Sequence, residues 1–255
     1  MKYEQAKYLL LSKKTLAKEI YEFIISCPQV AEVAQPGQFV HILPNGCTLR
    51  RPISICGIDR NKGTLRIVFE VRGEGTAELA KTNAGENIDM LAPLGRGFRL
   101  NDYNRVILIG GGIGTPPMMP LAEHYGEKAV AISGFRSANA VILQDDFKKA
   151  GAKTILCTDD GTMGHKGLVT EPLLDEIKSE KPDAIFACGP TPMLKAICAI
   201  AKENEIECFV SLEERMGCGV GACLVCACKT MRGNNEYFAH VCKDGPVFNA
   251  KEVIW

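Results

Sequence analysis

Up to about Leu100 the chain runs as short apolar-rich stretches cut by turn signals. These stretches are Ala6–Leu11, Glu19–Ser26, Gln38–Leu43, Arg51–Gly57, Thr64–Val71 and Asn87–Ala92. Gln35-Pro36-Gly37, Pro44-Asn45-Gly46 and Asn61-Lys62-Gly63 supply turns between them. Short strands at this spacing, with little helix among them, predict a small antiparallel barrel. From Asn104 the rhythm changes. Apolar runs at Val106–Ile109, Ala129–Ser133, Thr154–Cys157, Ala184–Cys188 and Glu207–Val210 read as buried strands. Helical stretches near Pro117–His124, Gln144–Ala150, Leu168–Ser179 and Thr191–Asn204 lie between them. That alternation predicts βαβ units and a doubly wound parallel sheet. After Leu212 periodicity fades into a Gly- and Cys-rich remainder. The expected organisation is therefore a barrel over 1–100, an α/β domain over 101–211 and a C-terminal module over 212–255.

Composition narrows the function classes. Of 255 residues, 30 are basic and 30 acidic, so zero net charge gives no footprint for nucleic acid or an anionic membrane. The Lys13-Lys14 pair reads as solvated surface. No apolar run approaches bilayer-spanning length, and Tyr8-Leu9-Leu10-Leu11 is too short for a signal-peptide core. A cytoplasmic protein is expected.

Cysteine changes the picture most. There are twelve, five of them between Cys218 and Cys242. In a chain this large without an export signal a disulfide framework is not expected, so the cluster points to a metal. Cys27, Cys47, Cys157 and Cys198 sit in apolar surroundings and read as buried, inert thiols. Cys218-x4-Cys223-x2-Cys226, followed after fifteen residues by Cys242, is the plant-type spacing for a [2Fe–2S] cluster. Three thiolates on one tight loop wrap one side, and a distant fourth closes it. Gly217, Gly219 and Gly221 suit such a loop. Zinc is the alternative for four cysteines, although zinc sites more usually pair two short knuckles. A Rieske centre needs two histidines, and only His240 is near. Cys228 reads as a non-ligand.

Two loops at predicted strand ends suit a nucleotide. Gly110-Gly111-Gly112-Ile113-Gly114-Thr115-Pro116-Pro117 follows the first strand of the α/β region, where backbone N–H groups at a helix start favour a diphosphate. Cys188-Gly189-Pro190 lies at the end of another strand, on the edge where open α/β sheets bind ligands. A glycine turn without a ligand is the alternative for the first and a plain strand-to-helix turn for the second, while Asp159-Asp160-Gly161 on the same edge also reads as a solvated turn. In the barrel, Arg51 and Ser54 in Arg50-Arg51-Pro52-Ile53-Ser54 stand three apart, so sharing one ligand calls for a bulge or a turn at Pro52. Gly73-Glu74-Gly75-Thr76 opens a short helix over Ala77–Lys81, a further phosphate candidate.

Taken together these residues resemble the ferredoxin-reductase superfamily: a barrel with R-x-x-S, a glycine–proline loop, then a C-G-P turn. The segments from Glu213 to Cys223 and from Val241 to Phe248 resemble, within it, the family of electron-transfer subunits of type B dihydroorotate dehydrogenase. The resemblance spans essentially the whole chain. It implies FAD contacts at Arg51, Pro52, Ile53 and Ser54, at Val68, Phe69 and Glu70, and at Gly75 and Thr76. Arg51 would neutralise the diphosphate and Ser54 would bond near the reactive flavin nitrogen. Ile53 stands where many superfamily members stack an aromatic ring on the flavin. NAD would use Gly110, Gly111, Gly112 and Gly114 with Cys188, Gly189 and Pro190. The cluster ligands would be Cys218, Cys223, Cys226 and Cys242. The partner implied is an FMN-containing dihydroorotate dehydrogenase catalytic subunit, in a heterotetramer of two of each. Electrons would then run from its FMN through [2Fe–2S] and FAD to NAD, in pyrimidine biosynthesis. No residue here reads as a base or clamp for dihydroorotate. A reductase subunit serving a ferredoxin, sulfide or hydrogenase partner is the nearest alternative, and a non-enzymatic zinc-binding protein the alternative of another class.

Overall fold

In the computed structural model, residues 3–255 are described. Six strands form a closed barrel: β1 (Glu4–Ala17), β2 (Ile20–Ser26), β3 (Phe39–Leu43), β4 (Arg51–Asp59), β5 (Thr64–Glu70) and β6 (Asn87–Leu94). Their order around it is β1-β2-β5-β4-β3-β6, and every recorded pair is antiparallel. Alternation explains the closure. Along β2, Phe23 and Ile25 are buried while Glu22 and Ile24 between and beside them are half-covered, so one face feeds the interior. Phe23 meets Phe69 edge to face at 5.0 Å, and each such buried side chain contributes about 1.5–3 kcal/mol.

All six expected barrel strands are present. Two features depart from the sequence reading. β1 runs on past Leu11 to Ala17, pairing Lys13 and Lys14 with Phe23 and Glu22 of β2 while Lys14 stays exposed. A short helix α1 (Pro28–Val33) also intervenes before β3, with Pro28 starting it and Val30 and Ala31 buried. A second short helix, α2 (Glu74–Leu79), follows β5.

The α/β region contains β7 (Val106–Gly111), α3 (Met119–Tyr125), β8 (Ala129–Phe135), α4 (Gln144–Lys149), β9 (Lys153–Thr158), β10 (His165–Lys166), α5 (Thr170–Ser179), β11 (Ala184–Cys188), α6 (Thr191–Glu203) and β12 (Glu207–Ser211). Beyond it a two-stranded ribbon pairs β13 (Ala227–Arg232) with β14 (Asn235–His240), and β15 (Val247–Asn249) follows. The large sheet has the order β10-β9-β8-β7-β11-β12-β15. From β7 the chain winds outward through β8 and β9, then returns to the other side of β7 for β11 and β12. That reversal puts a topological switch point between β7 and β8 on one side and β11 on the other. β15 runs antiparallel to β12, so a segment read as irregular caps the sheet edge.

The backbone groups into two compact units. One holds the chain up to Phe98 with Glu213–Cys228 and Phe238–Pro246; the other holds Arg99–Leu212, Lys229–Tyr237 and Val247–Trp255. Among the described residues, no helix is long and apolar enough to cross a membrane.

Candidate cofactor sites and family

The cysteine loop follows β12 as a run of bends and turns, with Gly219 and Gly221 at φ +75° and +83°. Those left-handed positions fold the backbone so that its N–H groups face inward onto sulfur. Val220 and Ala222 donate to Cys218 Sγ at 3.4 and 3.2 Å. Cys218 donates to Cys223 Sγ at 3.4 Å, Gly221 to Cys242 Sγ at 3.1 Å, and Cys242 to Cys226 Sγ at 3.5 Å. Each of the four expected ligands thus accepts at least one backbone N–H.

These donors matter because iron takes thiolate, not thiol. Burial opposes ionisation of Cys218, and the N–H groups of Val220 and Ala222 and the neighbouring Cys223 outweigh it, bringing the thiol down to about 6. Burial pushes Cys242 up to about 12, with the adjacent Cys226 thiol adding to it. Side-chain contacts join Cys218 with Cys223 and Cys226 with Cys242. Two pairs of thiols suit two irons better than one tetrahedral ion. Among the described residues no three His, Cys, Asp or Glu side chains are grouped to hold a single metal ion. Cys228, on β13, is half-buried and pushed up to about 11, first by burial. Of the scattered thiols, Cys27 and Cys157 are buried as expected, whereas Cys47 and Cys198 are half-exposed.

On the barrel, β4 places Arg51 opposite Ile42, Pro52 opposite His41, Ile53 opposite Val40 and Ser54 opposite Phe39. This register is unbroken, so Arg51 and Ile53 share one face and Pro52 and Ser54 the other. The bulge in β4 lies between Ile55 and Gly57. The bulge or turn that the sequence called for between Arg51 and Ser54 is absent, because pairing with β3 holds this stretch straight. Arg51 instead uses the length of its side chain. A Cβ built on Gly75 would stand 2.2 Å from Arg51 Nε and 2.3 Å from Cζ, so the guanidinium lies on the backbone of α2 and a side chain there would displace it. Arg51 Nη1 donates to the carbonyl of Leu49 at 2.8 Å. Thr76 Oγ1 accepts from the N–H groups of Arg72 and Gly73 at 2.9 and 3.2 Å, which fixes the approach to the helix.

Other expected flavin contacts are constrained by burial. Phe69 is a core residue, 1% exposed and packed on Phe23 and Tyr21, so its ring is closed to a ligand. Ile53 packs against the barrel core. Val68 is buried, and Glu70 holds Arg72 at 2.7 Å. Neither position 53 nor 69 thus offers a ring to stack on the isoalloxazine.

In the α/β unit, Cys188 pairs with Gly110 across β11 and β7, which brings the two expected nucleotide loops side by side. A Cβ on Gly114 would meet the Cys188 carbonyl oxygen at 2.4 Å, and one on Gly111 would meet Met193 Sδ at 2.7 Å. A Cβ on Gly112, by contrast, would meet nothing within 4 Å, so that backbone is the approachable part. The helix N-terminus expected after this loop is not formed there. Pro116 and Pro117 lack N–H groups, and the chain takes 3₁₀ turns over Gly112–Gly114 and Pro116–Met118 before α3 begins at Met119. Thr115 Oγ1, buried beneath the loop, has no hydrogen-bond partner. Gly114→Ala is expected to cost about 1–3 kcal/mol, because the new methyl meets main chain that has no room to yield. Urea unfolding checks this; an unchanged midpoint would show that the packed loop is not as described.

Sequence reasoning passed over His41. It sits in the middle of β3 with no exposure at all, and a lone histidine in an apolar strand carries no pattern to single it out. Burial, with the positive charge of Arg50 next, holds its imidazole down to about 4.

Comparison with known proteins agrees with this arrangement. Residues 213–254 match the iron–sulfur cluster binding domain of dihydroorotate dehydrogenase B. The electron transfer subunit of dihydroorotate dehydrogenase B (NAD+) from Bacillus caldolyticus is 42% identical over 252 residues, covering 95% of this chain and 96% of that one. The corresponding subunit of Shouchella clausii is 38% identical over the full length of both chains. Among solved structures, an NADH-dependent reduced ferredoxin–NADP oxidoreductase, described in connection with flavin-based electron bifurcation, superposes with a TM-score of 0.86. It is 31% identical and covers 99% of this chain and 91% of its own. The ferredoxin reductase of carbazole 1,9a-dioxygenase superposes with a TM-score of 0.66 at 17% identity, which speaks for the fold alone. With relatives this similar over nearly its whole length, the chain belongs to the family of dihydroorotate dehydrogenase B (NAD+) electron transfer subunits.

Proposed function

We propose that this chain carries electrons between a dihydroorotate-oxidising catalytic subunit and NAD, with FAD, a [2Fe–2S] cluster and NAD as its cofactors. When bound, the flavin would exchange hydride with nicotinamide and single electrons with the cluster. The observation that carries the reading is the donor set on sulfur: every one of the four spaced cysteines accepts a backbone N–H.

The residues divide the work. Cys218 and Cys223 would hold one iron and Cys226 and Cys242 the other, with the loop N–H groups stabilising negative charge on sulfur. Arg51, lying on Gly75, would neutralise the FAD diphosphate. Backbone at Gly75 and Thr76 would take phosphate oxygens, and Pro52 and Ser54 on the opposite face of β4 would line the flavin with Val68 and Glu70. Gly112, Gly114 and the Cys188–Pro190 turn would take the nicotinamide nucleotide. The catalytic partner would be an FMN subunit, in a heterotetramer of two of each, working in the cytoplasm.

Metal analysis tests the cluster directly. Anaerobically prepared protein should be brown-yellow and contain about two irons and two sulfides per chain. Stoichiometric zinc without iron would overturn the assignment. The likeness to the ferredoxin–NADP oxidoreductase supports a second reading, in which the same cofactors serve a different acceptor. Co-purification with a tagged chain separates the two, because only the first brings down a dihydroorotate-oxidising flavoprotein.

A further inference from the structure

His41 occupies an unusual place in the barrel. Its neighbours in β3, Val40 and Ile42, belong to the interior core, so alternation turns His41 to the outer face. That face of a barrel strand ordinarily meets water, yet His41 is completely buried. The cover is the cysteine loop. A Cβ built on Gly219 would stand 2.6 Å from His41 Nδ1 and 3.2 Å from Leu94 Cδ1, so the loop packs glycine backbone directly on the ring. On the other side His41 pairs with Pro52 of β4, within the segment assigned to FAD. The backbones of Arg50 and Cys218 both border the ring.

Neither Nδ1 nor Nε2 has a hydrogen-bond partner. In either protonation state an imidazole carries at least one N–H donor, and leaving a buried donor unmade costs about 1–3 kcal/mol. An apolar residue would fill the same space without that cost. The acceptors that face this donor are backbone groups of Arg50 and Cys218.

We propose that His41 is a positioning residue for the cluster: it supports the Cys218–Gly219 turn from the flavin-binding strand, with its N–H directed at the backbone of the cluster-bearing Cys218. The inference rests on the assignment of Cys218 as a ligand. A donor directed there stabilises the extra negative charge of the reduced cluster, and so raises its potential.

The test compares His41→Leu and His41→Gln in the complete chain, loaded with FAD and cluster. Leucine keeps bulk without a donor; glutamine restores one. Redox titration followed by electron paramagnetic resonance should show a lower cluster midpoint in H41L, with altered g-values, and a return toward the parent in H41Q. The FAD midpoint should stay in place. Gly219→Ala, which pushes a methyl onto the ring, should shift the cluster signal in the same sense and serves if H41L does not load. An unmoved cluster midpoint in H41L, or H41Q and H41L behaving alike, would overturn the proposal. Parent protein without any [2Fe–2S] signal would instead overturn the cluster assignment itself.

Discussion

Cys226→Ser should abolish electron exchange with the catalytic subunit while leaving most of the NADH-to-dye reaction. Cys226 is 2% exposed and lies at the inner side of the loop. A serine hydroxyl there does not ionise near neutral pH, and oxygen is a poor substitute for the soft thiolate that iron–sulfur centres select. The expected fall in coupled dihydroorotate:NAD activity is at least about a hundredfold, since disturbing outer-shell partners alone costs 10–100-fold. Reduction of an artificial dye by NADH draws only on the nucleotide and flavin sites. Full coupled activity in the variant, measured beside its iron content, would contradict the assignment of Cys226.

Arg51→Ala should release FAD. The guanidinium is half-buried against Gly75, where a charge-assisted contact to a diphosphate is worth about 1.5–3 kcal/mol. Flavin affinity should therefore drop by roughly ten- to a hundredfold. Fluorescence titration of the apoprotein with FAD measures it, and tight retention through dialysis would mean that another residue neutralises the diphosphate. Gly75→Val offers a counterpart. It leaves the arginine in the sequence but occupies its place, so the two variants should lose flavin alike.

Much of this was readable from local pattern. Buried parallel strands announce themselves as continuous apolar runs, so Val106–Ile109 and Ala184–Cys188 lie within or coincide with β7 and β11. Likewise, the cysteine spacing pointed to a loop and a distant fourth thiol. What escaped depends on partners far along the chain. β15 is three residues long and exists because β12 offers a free edge. The straight register of Arg51–Ser54 is imposed by β3, whereas the sequence shows only a spacing of three. Gly75 gives no hint that Arg51 lies on it, and His41 gains its meaning from Gly219, which arrives from the other end of the chain. Pro116 and Pro117 were in view, but their effect is negative: they remove the N–H groups that a helix start would have presented.

Reconstitution tests the central claim most directly. The isolated chain, loaded with FAD and cluster, is mixed with dihydroorotate and NAD in the absence and presence of the FMN-containing catalytic subunit, and NADH formation is followed. The account predicts none from the isolated chain, which nevertheless reduces a dye with NADH, and sustained NADH formation once the partner is added. Dihydroorotate oxidation by this chain alone, or no NAD reduction by the assembled pair with both cofactors in place, would contradict it.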